Sequence, residues 1–96
     1  MWVIAKRVLR EFWKKHPATE QPLKAWHWQT ERATWNSPAD IKKDYPSASI
    51  LANNRVVFNI KGNDYRLIVH VKYGHMVFIR FVGTHAEYEK INAAEV

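Results

Sequence analysis

The stretch from Arg55 to Tyr88, RVVFNIKGNDYRLIVHVKYGHMVFIRFVGTHAEY, leaves this chain little choice of fold. Two turn signals, Gly62-Asn63 and Gly74-His75, divide it, each flanked by β-branched and aromatic residues in alternation. The pattern predicts three consecutive antiparallel strands followed by the first turns of a closing helix. The remainder of the chain reads mainly as helical cover for that meander.

Alternation assigns faces, because successive side chains of a strand point to opposite sides. Val56, Phe58 and Ile60 share one side of the first strand, and Arg55, Val57 and Asn59 the other. A turn at Gly62-Asn63 pairs Ile60 with Tyr65 and Phe58 with Leu67, so Tyr65, Leu67, Val69 and Val71 join the apolar face. Arg66, Ile68, His70 and Lys72 then lie beside Arg55 and Asn59. The third strand decides the second loop. Its odd positions Val77, Ile79 and Phe81 are apolar, and Arg80 is even. A two-residue loop would drive the Arg80 guanidinium into the core without a partner, which is strongly unfavourable. A three-residue loop at Tyr73-Gly74-His75, or an equivalent bulge, places Val77, Ile79 and Phe81 in the core and Arg80 with Arg66 and His70.

Upstream, residues 2–4 read as a short edge strand and Ala5 to Lys15 as a helix with Val8, Leu9 and Phe12 inward. Pro17 stops it. Thr19 caps a second helix, with Leu23, Trp26, Thr30 and Ala33 on one face. Trp26, Trp28 and Trp35 suit packing against the sheet better than base stacking. Ser37-Pro38-Ala39-Asp40 opens a short third helix, and Ser49 to Ala52 reads as another strand. Thr84-His85-Ala86-Glu87 is a capping box for a last helix ending near Ile91, with residues 92–96 a frayed tail. The expected class is α+β: two N-terminal helices packed on a twisted antiparallel sheet, with a short C-terminal helix. Residues 1–96 make one domain.

Composition limits the chemistry. The chain has no cysteine, hence no thiolate metal site, disulfide or cysteine nucleophile. The apolar run Met1 to Ala5 is too short for a signal peptide or a membrane span, so a cytoplasmic protein is expected. The net charge of +6 is concentrated in residues 1–15 and 37–83, while residues 84–96 are net acidic. An excess of this kind favours a polyanionic partner, nucleic acid first. Arg55, Asn59, Arg66, His70 and Arg80 form the basic sheet face, with Lys42 and Lys43 near its start. His70, His75 and His85 have no metal-ligand spacing, and no cofactor is expected.

The order of segments is specific: a helix pair, SPADIKKDYPSAS, RVVFNIKGNDYRLIV, then FIRFVGTHAEYEKI. Its most specific parts are Phe58-Asn59 with Gly62-Asn63 and Tyr65-Arg66, and Ile79-Arg80 with Thr84-His85 and Tyr88. Together these resemble the HigB family of toxin endoribonucleases, which have a RelE-like fold, over nearly the whole chain. The resemblance implies cleavage of messenger RNA on the translating ribosome. It also implies neutralisation by a helix-turn-helix HigA-type antitoxin in a toxin–antitoxin hetero-oligomer. The matching positions are Asn63, Arg66, Arg80, His85 and Tyr88, with Lys61 in addition. Many relatives carry a second glycine where this chain has Lys61.

Such cleavage uses the substrate's own 2′-hydroxyl as nucleophile and needs no metal. The protein has to orient the strand, move protons and stabilise charge on the phosphorane. The expected catalytic set is Arg66 and Arg80 for charge, His85 as proton carrier and Tyr88 as stacking or proton-donating neighbour, with His70 an alternative base. Arg55, Asn59, Lys61, Asn63, His70, Lys42 and Lys43 are the expected RNA contacts. Two other readings stay open: a non-nucleolytic RelE/ParE-fold toxin acting on a protein such as gyrase, and an RNA-binding module without chemistry.

Overall fold

The central hairpin has the register that alternation demands: β3 (Arg55–Ile60) pairs with β4 (Tyr65–Lys72), Phe58 opposite Leu67 and Ile60 opposite Tyr65. Between them Lys61 and Gly62 both take positive φ, 52° and 66°. A side chain at the first of these is strained relative to glycine. The computed structural model describes all of residues 1–96. The remaining strands are β1 (Trp2–Ile4), β2 (Ser49–Ile50) and β5 (Met76–Thr84), in the sheet order β1-β5-β4-β3-β2. β1 runs parallel to β5, so the sheet is mixed rather than wholly antiparallel. Asn53 and Asn54, both at positive φ, turn β2 into β3.

The loop at Tyr73-Gly74-His75 has three residues, since Lys72 pairs with Met76. Val71 and Val69 then face Val77 and Ile79 across the core. Beyond that the expectation needs a correction. Val69 pairs with Ile79 but Ile68 pairs with Phe81, which leaves Arg80 as the extra residue of a β-bulge. The bulge reverses the parity of the strand. Val82 takes the core side opposite Leu67, while Phe81 moves to the other face opposite Ile68. Gly83 is its corollary: a methyl group there would stand 2.5 Å from Phe81 Cζ. The ring therefore lies over a position that only glycine leaves open. Arg80 itself is exposed and away from the core, as its charge requires.

Helices α1 (Lys6–Lys15) and α2 (Glu20–Arg32) cover the apolar face, joined by a 3-10 turn at Pro17–Thr19; α3 (Pro38–Asp44) leads into β2. Phe58 is the centre of an aromatic cluster. Trp26 and Tyr45 meet it edge-on, at centroid distances of 5.5 and 5.0 Å, and Trp35 stacks on it at 6.0 Å. Each such pair adds about 0.5–1.5 kcal/mol beyond area burial. Burial and the neighbouring Asp44 carboxylate push the Tyr45 hydroxyl up to about 12, and it donates to Gln29 Oε1 at 2.7 Å. Trp26 and Trp35 are thus core residues, but Trp28 is not; it is exposed, with the Arg32 guanidinium over its ring at 4.0 Å.

Two expected caps are made differently. Thr19 stands at the N-cap position of α2, but its hydroxyl donates back to the His16 carbonyl at 2.7 Å. Ser37 precedes α3 without a side-chain cap; the Asp40 carboxylate instead accepts the Asn36 N–H at 2.9 Å. The last helix, α4 (His85–Tyr88), has the full capping box. Residues 92–96 are not frayed. Main-chain oxygens of Ala94 and Val96 accept hydrogen bonds from Asn53, Arg55 and Arg80. No helix is long and apolar enough to cross a membrane.

Candidate active site

The β3–β4 hairpin and α4 are tied together at one point: the His85 N–H donates to the Asp64 carbonyl at 3.0 Å. The Thr84 hydroxyl accepts the Glu87 N–H at 3.1 Å, and the Glu87 carboxylate accepts the Thr84 N–H at 2.8 Å. Those bonds to Thr84 hold the Glu87 carboxyl below the usual carboxylate range. Glu87 is thereby committed to the helix start. It forms no ion pair with Arg66, nor does Asp64.

Arg66, second residue of β4, points across to α4. Its Nη1 donates to the carbonyls of Asn63 at 2.8 Å and Tyr65 at 3.2 Å, which fixes the plane of the guanidinium. Its Nη2 lies 2.9 Å from His85 Nδ1, and its carbon sits 5.6 Å from the centre of the Tyr88 ring. An arginine can only donate. His85 Nδ1 is therefore the acceptor, and the ring hydrogen is on Nε2. That nitrogen is 2.6 Å from Glu89 Oε1. The result is a relay of Arg66, His85 and Glu89 with Tyr88 beneath the guanidinium. It presents a neutral imidazole whose orientation is set at both nitrogens, the arrangement that a proton carrier needs.

Glu89 was not among the expected residues. The signal for it is the four-residue spacing from His85, which puts both side chains on one helical face. Asn63 takes part through its carbonyl rather than its amide. Asn59 pairs with Arg66 across the sheet and is half-buried. Lys61 and Lys43 are exposed without a hydrogen-bond partner, whereas Lys42 Nζ is bound to the carbonyls of Pro46 at 2.6 Å and Ala48 at 2.8 Å, closing the loop after α3.

Arg80 does not join this cluster. With Arg55 and His70 it forms a second basic group farther along the sheet. His70 is four residues beyond Arg66 on β4, roughly 13 Å at the rise of a strand. Between the groups, Val57 and Ile68 pair as a buried apolar strip with Phe81 beside it. Partial burial first, then the charges of Arg55, Arg80 and Lys72, lowers the His70 pKa and so disfavours its protonated form. His70, His75 and His85 are not gathered into a group able to hold a metal ion.

Comparison with known families matches residues 19–91 to HigB_toxin, described as the RelE-like toxic component of a toxin–antitoxin system. This chain belongs to the HigB toxin family. The match runs from the start of α2 to just past α4, so it takes in every residue of the Arg66–His85–Glu89 cluster. Among curated proteins no significant match is found. As a toxin of a toxin–antitoxin system the HigB-family chain has an antitoxin as its partner.

Proposed function

We propose that this HigB-family toxin is a metal-independent endoribonuclease that cleaves messenger RNA on the ribosome, with Arg66, His85, Glu89 and Tyr88 as its centre. The observation that carries this reading is the double anchoring of His85, by Arg66 at Nδ1 and by Glu89 at Nε2. A surface that only bound RNA would need charge but not an oriented neutral imidazole.

In this reading a substrate phosphate draws the Arg66 guanidinium from Nδ1 to its own oxygens. The exchange suits a planar donor fork, which matches two phosphate oxygens and stays charged throughout. Nδ1 is then free to take the proton of the 2′-hydroxyl. The 2′-oxygen bonds to phosphorus, the bond to the 5′-oxygen breaks, and Glu89 stabilises the imidazolium that results. Tyr88 is the remaining O–H donor of the cluster and the natural source of the leaving oxygen's proton. The products are a 2′,3′-cyclic phosphate and a free 5′-hydroxyl. Arg66 contributes by meeting charge that develops on the phosphorane, where a preorganised donor is most effective.

The chain's family supports a HigA-type antitoxin as the neutralising partner. Expressing the toxin alone and mapping transcript 5′ ends tests the function: growth arrest with new 5′-hydroxyl ends inside open reading frames is expected. Growth arrest with intact transcripts and a DNA-damage response would instead place this chain with the fold's gyrase-directed toxins.

A further inference from the structure

The second basic group is occupied by the chain itself. Arg55 on β3 and Arg80 on β5 flank His70 on β4, and both guanidiniums converge on one atom. The Val96 main-chain oxygen accepts from Arg55 Nε at 2.9 Å and from Arg80 Nε at 3.2 Å. Asn53 Nδ2 holds the same segment by the Ala94 carbonyl at 3.0 Å. No aspartate or glutamate side chain lies within ion-pair distance of Arg55, Arg66 or Arg80. Two arginines that converge on one oxygen of Val96, with no aspartate or glutamate side chain beside them and a histidine between, form an anion-binding geometry that a phosphate oxygen also satisfies.

The segment that fills the site is lightly seated. Ile91, Ala93 and Val96 are only half-buried, and none belongs to the core cluster. A groove of about 520 Å³ separates the segment from Leu51 and Tyr88. Its anchors are three hydrogen bonds at a partly solvated surface, two of them from guanidiniums to one oxygen, of the kind that phosphate oxygens accept as well.

We infer that Arg55, Arg80 and His70 form a second subsite for the phosphate chain of single-stranded nucleic acid, and that residues 92–96 are a strap that occupies it until the strand arrives. The inference rests on the proposed action on RNA, but it adds a subsite roughly 13 Å from Arg66 along β4 and a shut state of the free protein. A strand that spans both groups has to lift the strap. The apparent Kd is then the open-state Kd divided by the fraction of time the strap is open.

The test compares the full chain, a chain ending at Ile91, and Asn53→Gly in the full chain. The glycine removes the strap's side-chain donor and accepts the positive φ of 60° at that position. The probe is a short 2′-O-methyl RNA, which cannot be cleaved, titrated by fluorescence anisotropy at several salt concentrations. The truncated chain is expected to bind about 10-fold more tightly, as for a strap open one-tenth of the time. Its salt slope should equal that of the full chain, because the same phosphates are held once the strap is lifted. Asn53→Gly should tighten binding in the same direction by less, again at an unchanged slope. Unchanged or weaker binding by the truncated chain overturns the inference, and if that chain does not fold, Asn53→Gly decides alone by the same criterion. If no form binds the RNA, the proposed function fails on its own account. The subsite is then read from the Arg55 and Arg80 Nε–H resonances under inorganic pyrophosphate: shifts larger in the opened chain uphold it, and none in any form rejects it.

Discussion

Replacing Arg66 by lysine keeps the charge and removes the fork, which separates positioning from simple electrostatics. In the free protein Arg66 uses Nη1 on two carbonyls and Nη2 on His85, at 2.8, 3.2 and 2.9 Å. One ammonium at the end of a flexible stem cannot reach these three acceptors together. The bonds are at a partly solvated surface, so the stability loss sits near the lower end of the net hydrogen-bond range, about 1 kcal/mol in all. For a domain of this size that lowers the melting temperature by roughly 4–8 °C. The effect on chemistry is larger. Losing one preorganised donor to a developing oxyanion removes about 2.7–4 kcal/mol of transition-state stabilisation, or 10²–10³ in rate. The assay is single-turnover cleavage of messenger RNA on programmed ribosomes with toxin in excess, alongside thermal melts. Arg66→Lys cleaving within a few-fold of the parent rate while melting slightly lower refutes the positioning role and leaves Arg66 as a surface charge.

Three further outcomes follow from the same contacts. His85→Gln should melt normally and slow single-turnover cleavage by about 10²-fold or more; a parent-like rate would make His85 a helix-start residue only. Thr84→Ala removes one half of the capping box and should lower stability by about 1 kcal/mol in urea titrations, yet cleave at near the parent rate, because Asp64 still holds the His85 N–H. His70 is harder to protonate in the folded chain than in the unfolded one, through burial and the charges of Arg55, Arg80 and Lys72. Protons therefore bind the unfolded state preferentially, so its contribution is complete above about pH 6.5 and declines as pH falls through that value towards the lower folded pKa. His70→Gln should reduce the loss of urea midpoint between about pH 7.5 and pH 5.5, and an unaltered loss would contradict the assignment.

The hairpin register was legible because a one-residue slip would turn every side chain of β3 and β4 to the wrong face. The same logic located the three-residue loop before β5. It failed at Phe81, because parity counting assumes an unbroken alternation, and the bulge that expels Arg80 also resets the count. That error displaced one ring but not the arginine, whose charge alone kept it out of the core. Arg66, His85 and Tyr88 were legible as a group only through the resemblance to the HigB family, because β5 separates their elements in the chain. Glu89 was not, since an exposed glutamate four residues after a histidine is ordinary on any helix. Arg80 was grouped with Arg66 because both are on one face; position along the strand, which separates them, needs coordinates. The docking of residues 92–96 has no side-chain signature, because the atoms recognised are backbone oxygens of Ala94 and Val96 and not their side chains. Trp28 shows the opposite limit: its spacing suits a buried face, but Arg32 four residues later covers it at the surface.

The central claim is that the Arg66–His85–Glu89 cluster activates the substrate's own 2′-hydroxyl. One measurement addresses it without altering the protein: cleavage of a messenger RNA carrying a single 2′-deoxy nucleotide immediately 5′ of the scissile phosphate, presented on programmed ribosomes. Loss of cutting at that bond, with neighbouring bonds and ribosome binding unaffected, is the predicted result. Cutting at the 2′-deoxy position at the rate of the all-ribose message would contradict the account and require a different nucleophile.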